Sequence, residues 1–276
     1  MKLSIITINY NNVEGLKQTL DSVAAQTCQE IEHIIIDGGS SDGSVDVIRK
    51  YEQTLTAHHS PLTLIWFSEP DRGIYDAMNK GISKSSGSYL YFLNSGDTLA
   101  SPTVVQDMLA LLDGTDCIIG RVNKTYNGQV VGKTPLLNEK DMSLYNMYLH
   151  GINHQSALIK RELLIKTPYD TSIKMGADWR FFVQAIVLDG ATTKFVDSIF
   201  ANFDLTGLSS DTDAIRKERE TILATIVPER IARDYLAIAP HYFEVIRVEW
   251  LLRHPFWYKL YRGLTTFARK ISNHKS

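Results

Sequence analysis

Ile34-Ile35-Ile36-Asp37-Gly38-Gly39-Ser40-Ser41-Asp42-Gly43-Ser44 is the stretch on which the fold turns. Three β-branched residues in succession suit a strand buried on both faces, as the strands of parallel sheets are. The run stops at an acid followed by a glycine and serine cluster, which is turn chemistry. Ile48, Tyr51 and Leu55 then recur at helical spacing.

The same unit repeats on either side. Leu3 to Ile8 is an apolar run that ends in Asn9-Tyr10-Asn11-Asn12, and Leu16, Leu20, Val23 and Ala24 mark the helix after it. Leu62 to Phe67 predicts a third strand, closed by Glu69-Pro70-Asp71-Arg72-Gly73 and followed by a helix carrying Ala77, Met78 and Ile82. Tyr89 to Leu93 predicts a fourth, ending at Asn94-Ser95-Gly96-Asp97, with Ser101 and Pro102 as N-cap and first residue of the next helix. Alternation of this kind implies right-handed crossovers and an α/β fold with a mainly parallel sheet flanked by helices. Ligands bind such sheets outside the carboxyl ends of the strands. Asn9, Asn11, Asp37, Asp71, Arg72 and Asp97 should therefore gather at one edge; the alternative is that they only cap helices and solubilise loops.

Beyond about residue 115 the pattern is less regular. Asn127-Gly128 is a hairpin signal between Val122 and Val131. His154 to Ile159 predicts a strand, and Gly176-Ala177-Asp178-Trp179 opens a helix. From about 210 the chain reads as wholly helical, broken at Pro228, Pro240 and Pro255. The expected organisation is one α/β domain over 1–210, its two halves meeting at about residue 100, then a helical extension over 211–276.

Bulk properties narrow the class. At 44% hydrophobic and 22% charged the 276-residue chain is globular, and its net charge of -2 argues against a nucleic-acid partner. Two cysteines, Cys28 and Cys117, are neither a disulfide framework nor a zinc set, and fit a reducing compartment. The first residues lack a signal-peptide pattern and no apolar run approaches a membrane span, so a cytoplasmic protein is expected.

Several motifs mislead. Gly128-Gln129-Val130-Val131-Gly132-Lys133-Thr134 is one residue short of a P-loop and follows a hairpin turn. His150 and His154 have zinc-helix spacing, but Gly151 stands where that motif needs glutamate. No Gly-x-Gly-x-x-Gly follows the first strand. Asn123-Lys124-Thr125 is a glycosylation acceptor in form only, for a cytoplasmic chain.

Taken together, Ile5-Ile6-Thr7-Ile8-Asn9-Tyr10-Asn11, Ile36-Asp37-Gly38-Gly39-Ser40-Ser41-Asp42-Gly43, Asp76-Ala77-Met78-Asn79-Lys80-Gly81-Ile82, Tyr91-Phe92-Leu93-Asn94-Ser95-Gly96-Asp97 and Ala177-Asp178-Trp179 resemble family 2 glycosyltransferases of the GT-A fold, which build bacterial polysaccharides. The resemblance covers roughly residues 1–205. It implies that Thr7, Asn9 and Tyr10 lie where the family holds base and ribose, that Asp37 accepts a hydrogen bond from the base, and that Arg72 approaches the nucleotide. Asp76, Asn79 and Ser95 fall in the same donor-binding set. Asp97 matches the cation-ligating end of the family's Asp-x-Asp region, and Asp178 the general base. The implied donor is a nucleotide-sugar, UDP-linked first and GDP-linked as the alternative; the implied acceptor is a glycan or a lipid-linked sugar.

The chemistry is consistent with those roles. A departing nucleoside diphosphate gathers negative charge, which a divalent cation stabilises. Oxygen ligands favour Mg²⁺ or Mn²⁺, and one or two carboxylates suffice beside phosphates and water. The acceptor hydroxyl must lose its proton to a base as it attacks. One base and direct displacement invert the anomeric carbon.

One departure stands out: no acid occupies Gly96. It motivates the alternative of an inactive nucleotide- or sugar-binding homologue. A sugar nucleotidyltransferase is the other alternative, although its Gly-rich basic loop is replaced here by Asn9-Tyr10-Asn11-Asn12. Asp178 could also be an ordinary first-turn acid favoured by the helix dipole. His154, with Gln155, could contact acceptor or diphosphate, or His154 could be a hydrogen-bonded strand residue. Trp179 could stack on an acceptor sugar or pack internally.

Between His241 and Ser276 seven basic residues (Arg247, Arg253, Lys259, Arg262, Arg269, Lys270 and Lys275) face two acids, Glu244 and Glu249, a net of +5. Tyr242, Phe243, Trp250, Phe256, Trp257, Tyr258, Tyr261 and Phe267 are interleaved with them. This composition suits docking on the inner face of an anionic membrane. Packing against the catalytic domain or a second subunit is the alternative.

Overall fold

The computed structural model of the chain describes residues 2–206 and 212–272. It falls into two compact units, 1–222 and 223–276. The boundary expected near 210 lies outside the described residues.

Unit 1 opens with the repeated strand–helix pattern. The elements are β1 (Leu3–Asn9), α1 (Val13–Ala24), β2 (Glu32–Asp37), α2 (Ser44–Ala57), β3 (Thr63–Ser68), α3 (Ile74–Lys84) and β4 (Tyr89–Phe92). These strands pair in the order β3-β2-β1-β4, all parallel. Every residue of β1 and β2 is buried, so the isoleucine runs serve two faces. Leu3, Ile5 and Ile35 join the core with Leu16 and Leu20 of α1 and Ile48 and Leu55 of α2. Ile6, of opposite parity, lies against Gly81 of α3.

The second half continues the sheet with β5 (Thr98–Leu99), α4 (Val104–Leu111), β6 (Cys117–Tyr126), β7 (Gln129–Lys133), α5 (Leu144–Leu149), β8 (Ala157–Lys160), α6 (Arg161–Lys166), α7 (Ala177–Phe182) and β9 (Thr193–Asp204). Among the described residues nine strands form one sheet, continuing β4-β8-β6-β9-β5, with β7 on β6. Here only β6 and β9 run parallel; β4–β8, β6–β8, β5–β9 and β6–β7 are antiparallel. The helix expected from Ser101 starts at Val104, after Thr103. Asn127 and Gly128 both have positive φ and make the expected hairpin. His154–Ser156 is a 3₁₀ turn and not strand; the strand begins at Ala157. A π-helical turn, Val183–Leu188, extends α7.

α8 (Thr212–Ile226) begins in unit 1 and ends in unit 2, which holds α9 (Glu229–Ile238), α10 (Tyr242–Arg253) and α11 (Pro255–Ser272). Phe256 is 72% exposed, and Trp250, Trp257 and Leu264 are exposed too. Of the residues counted above, Phe267, Arg269, Lys270 and Lys275 have side chains outside the described set. Among the described residues no helix is long and apolar enough to cross a membrane.

Candidate active site

The parallel strands deliver their polar ends to one edge. β1 and β2 are in register there, Asn9 beside Asp37. Asp37 is fully buried. It accepts from Asn9 Nδ2 (2.8 Å), Ser40 Oγ (2.6 Å), the Ser40 and Gly39 amides (2.9 and 3.2 Å) and Ser68 Oγ (2.7 Å). Burial pushes its pKa up, but the Ser40, Ser68 and Asn9 donors outweigh that and hold it below the ordinary value. Asp37 thus ties together the ends of β1, β2 and β3 and is anionic at neutral pH. Five donors saturate its two oxygens, so it orders this loop instead of offering a free lone pair.

Other expected donor-site residues divide clearly. Tyr10 is 65% exposed and presents its ring to solvent at this edge. Thr7 is fully buried, and its hydroxyl pairs with His33 Nε2 at 3.0 Å, so its side chain is withdrawn into the core. Asn79 is likewise occupied: its amide donates to the Tyr169 carbonyl and accepts from the Tyr169 amide, fastening α3 to the segment before α7. Asp76 holds Arg72 through an ion pair at 3.0 Å and accepts the Arg72 amide. The Arg72 guanidinium stays exposed and can turn toward a ligand. Ser95 accepts from Asn12 Nδ2 through its carbonyl at 3.1 Å.

The loop from Asn94 to Asp97 is fixed from behind by α1. Thr19 Oγ1 donates to the Asp97 carbonyl (2.7 Å) and receives the Gly96 amide (3.0 Å). Asp97 is 4% exposed. Gln155 Nε2 donates to its Oδ2 (2.9 Å) and the Asp204 amide to its Oδ1 (3.0 Å). Burial pushes its pKa up to about 6, against those two donors, and the nearby Asp204 charge adds to the rise.

Asp178, in the first turn of α7, accepts from His154 Nδ1 at 2.9 Å, Tyr75 OH at 3.0 Å and its neighbour's amide, Trp179 N, at 2.8 Å. Burial raises its pKa, yet the His154 hydrogen bond leads the opposing donors, and the group lies below its ordinary value. With the His154 proton on Nδ1, Nε2 accepts from Asn94 Nδ2 at 3.1 Å. Consecutive residues of one 3₁₀ turn thereby hold both key acids: Gln155 holds Asp97, and His154 holds Asp178.

Trp179 corrects one expectation. It is 2% exposed, donates Nε1 to the Met147 carbonyl at 2.6 Å and has the Arg219 guanidinium over its ring, so it packs internally and offers no face to an acceptor sugar. Conversely, Asn12, Thr19, Tyr75, Asn94 and Asp204 belong to the site and were not among the expected residues. Two buried acceptors here, Asn9 Oδ1 and Asn94 Oδ1, have no protein partner among the described residues. Such groups cost roughly 1–3 kcal/mol each and gather where a ligand completes them.

The model of glycosyl transferase family 2 matches residues 4–176. An uncharacterised glycosyltransferase of Mycobacterium tuberculosis is 34% identical over 216 residues, covering 75% of this chain and 77% of that protein. A PGL/p-HBAD biosynthesis glycosyltransferase of Mycobacterium bovis is 28% identical over 214 residues, covering 76% and 79%. Among solved structures, Staphylococcus aureus TarS 1-349 in complex with UDP-GlcNAc superposes with a TM-score of 0.63 at 18% identity, covering 84% of this chain and 69% of that one. The mannosyltransferase PcManGT from Pyrobaculum calidifontis, in complex with GDP-Man and Mn²⁺, gives 0.58 at 18% identity, covering 81% and 63%. These superpositions assign the sheet and its helices to the GT-A fold. With the family model matching from β1 to the residue before α7, the chain belongs to glycosyl transferase family 2 and is a glycosyltransferase.

Proposed function

We propose that this glycosyltransferase moves a sugar, with inversion, from a nucleoside diphosphate sugar to an acceptor hydroxyl during assembly of a cell-surface glycan. The observation that carries the proposal is the pair of acids, buried Asp97 and half-buried Asp178, held by Gln155 and His154 at the carboxyl edge of the sheet. Asp178 is the base. Its three donors keep it anionic and aimed, and the hydroxyl of the acceptor passes its proton to it as the new bond forms. Tyr10, exposed at the ends of β1 and β2, and the unpartnered acceptor Asn9 Oδ1 support this edge as the seat of the donor's base and ribose.

The residues present fit Mg²⁺ or Mn²⁺. Both oxygens of Asp97 keep a lone pair beyond the hydrogen bonds they accept, and both are hard ligands. A cation beside Asp97 would offset the burial that disfavours its charge, and when bound would stabilise the charge of the departing diphosphate. UDP-sugars are the first donors to test, since TarS was solved with UDP-GlcNAc; GDP-sugars follow, since PcManGT was solved with GDP-Man. The PGL/p-HBAD relative supports a glycolipid or lipid-linked acceptor. The exposed Trp250, Phe256 and Trp257 beside Arg253, Lys259 and Arg262 support docking of unit 2 on the inner, anionic face of a cytoplasmic membrane.

A thermal-shift screen of UDP-, GDP- and dTDP-sugars with and without Mn²⁺ tests the donor reading. Stabilisation by one nucleotide class, increased by Mn²⁺, is the expected result. No shift with any of them would refute it. Binding of a nucleotide-sugar without release or transfer of its sugar would identify an inactive homologue.

A further inference from the structure

We propose that Asp204, at the end of β9, supplies the second carboxylate of the divalent-cation site, in place of the acid that Gly96 lacks. The inference rests on the metal-dependent reading of Asp97 given above.

β5 and β9 pair antiparallel, Thr98 with Asn202 and Leu99 with Ala201. Two residues further along that register, Gly96 stands opposite Asp204. The geometry agrees: a Cβ built on Gly96 would lie 3.9 Å from Asp204 Oδ2 and 3.6 Å from Asn12 Nδ2. A side chain at 96 would enter the space beside the Asp204 carboxylate. Gly96 has φ +103, a conformation that L side chains rarely adopt, so this backbone is poorly suited to carrying the acid itself. The charge arrives instead from the facing strand.

Asp204 is also built into the same unit as Asp97. Its amide donates to Asp97 Oδ1 at 3.0 Å. Its carboxylate is oriented by Thr206, whose amide and hydroxyl donate to Oδ1 (3.0 Å) and Oδ2 (2.7 Å). Each oxygen thus retains a lone pair. The residue is half-buried, so these oxygens can be reached. Two acids sharing one hydrogen-bonded corner repel each other, and a divalent cation relieves that repulsion. Two carboxylates, with phosphate oxygens and water completing the shell, is a usual Mg²⁺ or Mn²⁺ arrangement.

The test is Mn²⁺ titration followed by the electron paramagnetic resonance of free Mn²⁺, in the presence of UDP or GDP, on wild type, Asp204→Asn and Asp97→Ala. Nucleotide affinity in EDTA is measured alongside. Asp204→Asn should weaken Mn²⁺ binding at least about tenfold, with nucleotide affinity in EDTA unchanged. If Asp97→Ala loses Mn²⁺ and Asp204→Asn binds it as wild type does, this inference fails while the cation reading of Asp97 stands. If wild type shows no nucleotide-linked Mn²⁺ binding, both fail. Should Asp204→Asn not melt cooperatively, Thr206→Val reports on the same carboxylate from an exposed position. Several-fold weaker Mn²⁺ binding is then expected, and wild-type binding would overturn the assignment.

Discussion

Replacing Asp178 by Asn removes the proposed base while leaving most of its surroundings in place. Asn Oδ1 can still accept from Tyr75 OH and the Trp179 amide. The charge-assisted bond to His154 is lost, worth about 1.5–3 kcal/mol. Much of it is recoverable: the imidazole can change tautomer and accept from Asn Nδ2, and the Asn94 amide can turn to accept from Nε2. Folding should therefore survive. A general base contributes roughly 10²–10⁴-fold, which is about 3–5 kcal/mol on the barrier. Nucleotide affinity should be little changed, because the Asn9–Asp37–Ser40 knot lies at the ends of β1 and β2 and makes no bond to Asp178. The assay is nucleoside diphosphate release at saturating donor and acceptor, with nucleotide binding measured by calorimetry on the same preparation. More than half the wild-type turnover would refute the base assignment. Loss of turnover matched by loss of nucleotide affinity would show that Asp178 acts through the structure of the site.

Three further outcomes are expected. Burial pushes the His33 pKa down to about 3, so the unfolded chain takes up that proton first. The stability this group contributes is full above about pH 6.5 and declines as pH falls below it, by about 2 kcal/mol between pH 7 and 5; urea midpoints should show this loss in wild type and a flatter profile in His33→Asn. Gly87→Ala would place a Cβ 2.5 Å from Ser4 Oγ and 2.6 Å from Ser4 N, and should destabilise the fold by about 1–3 kcal/mol in the same melts; an unchanged midpoint would contradict the close approach. The full chain should float with anionic liposomes at low salt and a chain ending near Pro240 should not, with equal behaviour of the two ruling out membrane docking through α10 and α11.

The first half of the fold is legible because it is regular. Apolar runs ending in Asn9, Asp37 and Asn94 predict both the parallel strands and the edge where the site forms. β9 was not read, for a physical reason. Its pairing with β6 shifts register around Arg121, so the apolar residues Phe195, Val196, Ile199, Phe200 and Ala201 never settle into period-two alternation. Missing the strand meant missing Asp204 at its end. Two side-chain placements were available from periodicity but masked by motif position. Thr7 shares the parity of Leu3 and Ile5 and so points into the core with them. Trp179 follows Asp178 on a helix, where consecutive residues diverge by about 100°, so one can face the cleft while the other packs. The His154 link to Asp178 joins residues 24 apart and depends on a 3₁₀ turn that no local pattern announced.

The central claim is that this chain transfers a sugar from a nucleoside diphosphate with inversion, using Asp178. The most direct measurement is proton NMR of the anomeric signal while the enzyme consumes the nucleotide-sugar that stabilises it, with Mn²⁺ and an added glycan acceptor. The first-formed product should carry the anomeric configuration opposite to that of the donor, and its signal should be absent with Asp178→Asn. Retained configuration, or the same product signal from the variant, would contradict the account.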